Sequence, residues 1–142
     1  MSYCTLQNLT DRYGERLLVE ISDRGESASD TIDEALISRA IADADALIDG
    51  YLAARYKLPL STTPAIVTDL SQAIAIYKAH ARVADEKIAE DYRTALKTLR
   101  DIANGLVKLD VDGVEPAASG ASEVRTNNPE RPLSAATMKG YI

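Results

Sequence analysis

The chain has one cysteine, one histidine, and neither phenylalanine nor tryptophan. A lone Cys4 rules out an internal disulfide framework and is what a reducing compartment leads one to expect. No apolar run approaches the ~20 residues of a membrane-spanning helix, and the first residues lack the apolar stretch of a secretory leader. The expectation is a soluble protein made in a cytoplasm, with no membrane partner. Hydrophobic residues still make up 46% of the chain. The core must therefore be aliphatic and rich in alanine, with tyrosines at its margins. Small side chains let helices approach closely, but each buries little area at ~25 cal/mol per Å², so modest subunit stability is expected.

Chemistry is equally thin. The glycines are scattered singly, with no phosphate-cradling loop. His80 sits at the border of an apolar helical face, and no spacing pairs it with a nucleophile, so it is expected to be a packing or surface residue rather than a base. Asp43, Asp45 and Asp49 include an i, i+4 pair, yet they lack a ligating histidine and are expected to face solvent. No catalytic, cofactor-binding or metal-ligating residue is assigned, and no enzymatic activity is expected.

What the chain does have is helix and charge. Its length of 142 residues suits one domain, large enough for a helical core. The net charge of −6 is uneven: residues 1–54 carry 11 acids and 4 bases, and residues 55–109 carry 6 acids and 9 bases. Such halves attract within one subunit or head to tail between subunits, or they simply solvate helix faces. A basic face on the last helix also admits contact with nucleic acid, but the overall acidity argues against sequence-specific binding.

Apolar spacing predicts an all-α fold with four main helical segments. Leu6, Leu9, Tyr13 and Leu17 give a short helix, a break at Gly14 and a second short helix ending near Ser22. A long helix is expected over 31–57, capped by Asp30 or Ser29, with Ile37, Ala40, Ile41, Ala44, Leu47, Ile48 and Tyr51 as its core stripe. On its far side runs a strip of small residues, Ala42, Ala46, Gly50 and Ala53. Either another helix approaches closely there, or alanine serves as a helix former on an exposed face. Gly50 favours the first reading, because glycine inside a helix is costly without compensation. A third helix over 64–83 is expected to face Ile66, Leu70, Ala73, Ile74, Tyr77 and Ala81 inward. A fourth over 86–104 buries Ile88, Tyr92, Ala95, Leu99, Ile102 and Ala103 opposite a charged face that includes Arg93, Lys97 and Arg100. Gly105 is placed to end it.

Between the long helix and the third lies a corner: Tyr51, Arg55, Tyr56, Leu58, Pro59, Leu60 and Pro64. Pro59 disfavours helix in Leu58 and cannot donate an amide hydrogen, so the chain is expected to leave the helix there. Thr63 is placed to cap the next helix, with Pro64 at its first position. Residues 1–109 thus form a helical domain. From 110 to 142 the composition turns to Gly, Ser, Pro, Ala and Asn, and a flexible or extended C-terminal arm is expected. It ends on Arg131, Leu133, Met138, Lys139 and Tyr141, the marks of a docking arm or of a plain tail.

These residues, taken in order, resemble the Mu-like phage and prophage head–tail adaptor family. The likeness covers nearly the whole chain. It runs through Tyr3, Thr5 and Leu9, Tyr13-Gly14-Glu15, Ser22-Asp23, Ile48-Asp49, Tyr51-Leu52, Arg55-Tyr56, Leu58-Pro59-Leu60 and Pro64. Tyr92, Ala95, Leu96, Leu99, Ile102-Ala103 and Gly105 follow, and then Met138-Lys139-Gly140-Tyr141. Two departures stand out: Leu96-Lys97-Thr98-Leu99 where an aromatic is common, and a bland Arg131-Pro132-Leu133-Ser134-Ala135-Ala136.

The resemblance implies a four-helix, bundle-like adaptor domain with a C-terminal arm, acting as a structural protein of the tailed-phage virion. Such adaptors form a ring, typically of twelve copies, beneath the portal, and present a surface to the next connector or tail component. The implied partners are the portal protein, neighbouring copies and that downstream component. The implied location is the virion, after assembly in the host cytoplasm. Ala42, Ala46, Gly50 and Ala53, with Arg93, Lys97 and Arg100, are candidates for the subunit interface. Arg131, Leu133, Met138, Lys139 and Tyr141 are candidates for the docking arm. A small cytoplasmic helical module that binds or regulates a partner is the alternative.

Overall fold

The computed structural model describes residues 1–111, which hold five helices and no strand. The helices are α1 (Leu6–Tyr13), α2 (Glu15–Ser22), α3 (Glu34–Leu52), α4 (Ala65–Ala79) and α5 (Glu86–Ala103). The all-α expectation is met. The expected arm, with Arg131, Leu133, Met138, Lys139 and Tyr141, lies outside the described residues.

Local chemistry explains the starts and stops. Thr5 and Asn8 form a reciprocal cap on α1: the Asn8 amide donates to Thr5 Oγ1 at 3.2 Å and the Thr5 amide donates to Asn8 Oδ1 at 2.9 Å. Gly14, at φ +86°, separates α1 from α2 in a conformation that other residues rarely adopt. At the end of α2, Ser22 Oγ accepts the Asp33 amide at 3.0 Å. That bond fixes Asp33, not Asp30 or Ser29, as the cap of α3, and its carboxylate takes the Leu36 amide at 3.1 Å. The long helix therefore starts three residues later than the sequence predicts.

It also stops earlier, at Leu52 rather than 57. The Arg55 and Tyr56 amides both donate to the Leu52 carbonyl, at 3.0 and 2.8 Å, which closes a turn and carries the Tyr56 ring into the core. Helix α4 is shifted by one residue at its start. Pro64 is itself the cap, in an extended conformation with no side-chain hydrogen bond, and its carbonyl accepts the Val67 and Thr68 amides. Thr63 does not cap. The helix ends at Ala79 because other groups reach its last carbonyls. Arg24 Nη2 donates to the Ala79 carbonyl at 2.8 Å, and His80 Nδ1 to the Ile76 carbonyl at 2.7 Å.

Helix α4 is the centre of the molecule, packed against α3 on one side and α5 on the other, with α1 also in contact. Its buried residues run right round it: Val67, Leu70, Ser71, Gln72, Ala73, Ile74, Ala75, Ile76 and Ala79. The inward face drawn from the sequence is correct for Leu70, Ala73 and Ile74. It is wrong for Ile66 and Tyr77, which are exposed, and Ala81 lies beyond the helix, which ends at Ala79 rather than 83. In contrast, α5 buries Ile88, Ala95, Leu99 and Ile102 along one stripe, as the spacing predicts. Tyr92, half-buried, stacks on Tyr77 with ring centroids 4.0 Å apart. After α5 the chain returns to the corner and buries Leu109 and Val111 in the core.

Candidate functional site

The first candidate surface is an open groove of about 640 Å³ beside α3. Helix α3 contributes Ala42, Ala46, Asp45 and Asp49, and the segment Met1–Leu6 lines the groove from the N-terminal side. Ala42, Ala46, Gly50 and Ala53 are all exposed, so the strip of small residues faces outward as its spacing implies. Its first two members line the groove, whereas Gly50 and Ala53 lie beyond it.

The acids of the groove are where the sequence reading needs correction. Asp43 is exposed as expected, but Asp45 is only 8% exposed and Asp49 is half-buried. Asp45 Oδ1 accepts the Tyr3 amide at 3.1 Å and the Ser71 hydroxyl at 3.1 Å. The Tyr3 hydroxyl donates to Asp49 Oδ1. Burial, reinforced by the Asp49 hydrogen bond and the two nearby carboxylates, pushes the Tyr3 phenol well above its ordinary value, so it stays a donor. Ser71 Oγ also lies 3.2 Å from Cys4 Sγ. The Cys4 thiol is buried, and that burial raises its pKa, so it is held as an unreactive thiol. The cluster thus ties the N-terminal segment to α3 and α4. It uses one oxygen of each carboxylate, and neither acid pairs with a Lys or Arg among the described residues.

The second surface is on α5. Arg93, Lys97 and Arg100 are exposed at spacings of four and three, which places them along one stripe. None forms an ion pair among the described residues; Arg100 Nε donates to the Leu96 carbonyl at 3.4 Å. No α5 residue lines the groove. The subunit therefore presents two acids in the groove and three bases on α5 that form no ion pair among the described residues.

Residues 3–127 match the family model for Bacteriophage Mu, Gp36. The chain belongs to that family. Gene product J of Escherichia phage Mu is 30% identical over 142 residues, which cover the whole of both chains. The Mu-like prophage FluMu protein gp36 of Haemophilus influenzae is 29% identical over 140 residues, 99% of this chain and 98% of that one. Likeness to the phage family thus extends through both surfaces and the corner between α3 and α4.

In this member of the family the corner is built around two side chains. Tyr56, 5% exposed, accepts the Leu109 amide on its hydroxyl at 2.9 Å and so anchors the segment that follows α5. Arg55 lies over Gly105, whose position at φ +79° ends α5. A side-chain carbon at Gly105 would meet the Arg55 guanidinium at 2.5–2.7 Å, so the glycine serves both the turn and the close approach. Arg55 Nε is buried without a hydrogen-bond partner. Leu60 is buried; Tyr51, Leu58 and Pro64 are half-buried; and Pro59 follows a cis bond on the surface. The seven signature residues are thus gathered between α3, α4 and the end of α5.

Sequence reasoning missed the Tyr3–Asp45–Ser71–Cys4 cluster. One signal for it existed: Asp45 falls between Ile41 and Ile48 at the spacing of four and three that marks a core position. His80, half-buried and bonded to its own helix, packs as expected.

Proposed function

We propose that this phage protein is a non-enzymatic structural component of the virion, a head–tail connector that assembles as a ring beneath the portal. Full-length likeness to phage Mu and prophage chains supports a phage role. The observation that carries the assembly part is the set of unpaired acids in the groove and unpaired bases on α5 of one small helical subunit. A closed ring needs heterologous contacts, one patch of each copy against a different patch of the next. Two surfaces of opposite sign meet that need, and a self-complementary patch does not. The C-terminal residues Arg131, Leu133, Met138, Lys139 and Tyr141 would add contacts to the portal or to a neighbour, and the ring's far side would receive the next tail component. Assembly takes place in the host cytoplasm and the product resides in the virion.

Purified virions are the test. The chain should be found in mature particles and in DNA-filled heads that lack tails, at the portal vertex in averaged electron micrographs. Its absence from both would overturn the reading.

A further inference from the structure

We propose that the groove between the N-terminal segment and α3 receives the basic stripe of α5 from a second copy of this chain. Arg93 and Lys97 of one subunit would pair with Asp49 and Asp45 of the next. The proposal rests on the ring reading above and specifies which surfaces meet.

Charge complementarity carries it. Asp45 is more than nine-tenths buried and lines the groove, yet both its donors, the Tyr3 amide and the Ser71 hydroxyl, bind Oδ1. Oδ2 accepts from no donor among the described residues and is open to solvent. Asp49 likewise uses only Oδ1, for the Tyr3 hydroxyl. An oxygen left free in the groove can accept a charge-assisted hydrogen bond from a cation arriving from outside. On α5, Arg93, Lys97 and Arg100 reach solvent and form no ion pair among the described residues. Each surface offers unpaired side chains of the sign opposite to the other's.

The dimensions agree. Asp45 and Asp49 are one helical turn apart on α3, and Arg93 and Lys97 are one turn apart on α5. Each pair is offset by about 6 Å along its helix, so two helices lying side by side pair in register. Ala42 and Ala46 give the groove a shallow lining over which a second helix can come to the short end of the usual ~8–10 Å packing distance. Long Arg and Lys stems cover alanine surface while their charged ends reach the carboxylates. The contact joins unlike patches, so it propagates head to tail.

Complementary blocking tests this directly. Ala46→Arg obstructs the groove from an exposed position, and the double change Arg93→Glu with Lys97→Glu removes the basic surface without touching the core. In sedimentation, each variant should self-associate at least ~10-fold more weakly than the natural chain, the effect of ~1.4 kcal/mol. Mixed together they should form a 1:1 dimer that does not grow, because one retains the groove and the other retains the stripe. Unchanged self-association of both variants, or two blocked variants that fail to pair, would overturn the proposal.

If the natural chain associates only on the virion, a variant carrying Ala46→Cys and Lys97→Cys is incorporated instead and treated with a short bis-maleimide. A ladder of covalent multimers is expected, and each single-cysteine variant should give none. Cys4, 2% exposed, does not compete. An unladdered double variant in intact particles would also overturn it. Loss of the chain from virions would sink the connector reading and leave a 1:1 dimer standing, so the two failures are distinguishable.

Discussion

Helices α4 and α5 pack side by side, yet they solve opposite problems. Helix α4 is enclosed by α1, α3 and α5 and buries side chains round its whole circumference, including the polar Ser71 and Gln72. Helix α5 buries one stripe and leaves its basic stripe uncovered. One helix holds the subunit together, and the other has a face to spare for something outside it. The burden of stability should therefore fall on α4 and the residues that lock onto it, and the exposed faces should contribute almost nothing to folding.

Truncation within α4 should have the largest effect. Ile74→Ala, at a fully buried position, should cost about 2–5 kcal/mol in urea denaturation, for the lost transfer energy plus the cavity. Ile66→Ala, on the same helix but exposed, should stay within about 0.5 kcal/mol. Equal losses at the two sites would contradict the central placement of α4. Next in size is the corner. Tyr56→Phe leaves the Leu109 amide without its acceptor in a buried setting and should cost about 1–3 kcal/mol. Amide exchange at Leu109 should quicken with it, and an unchanged rate would mean that the hydroxyl is not the anchor. Gly105→Ala forces a side chain into a left-handed conformation, at about 1–2 kcal/mol, and drives the Arg55 guanidinium aside. A neutral result there would show that α5 can end without its glycine.

Helix α5 could be read to within one residue, because a helix with one wet side writes its period into the sequence. The break at Gly14 was equally plain. Helix α4 is harder to read, since apolar residues fall on both its buried and its exposed positions: Ile66 and Tyr77 have the spacing of a core stripe but face out, and Ala81 lies past the helix end. The shifted start of α3 came from Ser22 gripping Asp33, a contact across 11 residues that no local rule contains. The candidate groove was half visible. Its small-residue strip has helical spacing, but its acids looked solvent-facing, because the cluster that buries Asp45 joins residues 42 and 26 positions away.

Gly50 is the smallest change and the one that separates folding from assembly. It lies inside α3 on the exposed strip, and a side-chain carbon built there meets nothing within 4 Å. Nothing within the described subunit calls for glycine at this position, and glycine in a helix interior is less favourable than alanine by roughly 0.5–1 kcal/mol. Gly50→Ala should therefore stabilise the free subunit by that amount, measured by thermal or urea unfolding of the monomer. If a neighbouring helix closes on this strip, the added methyl must also enter a tight contact. The variant should then associate less well even though it folds better. A gain in stability with undiminished association would show that the close approach ends at Ala46 and that Gly50 lies outside the contact.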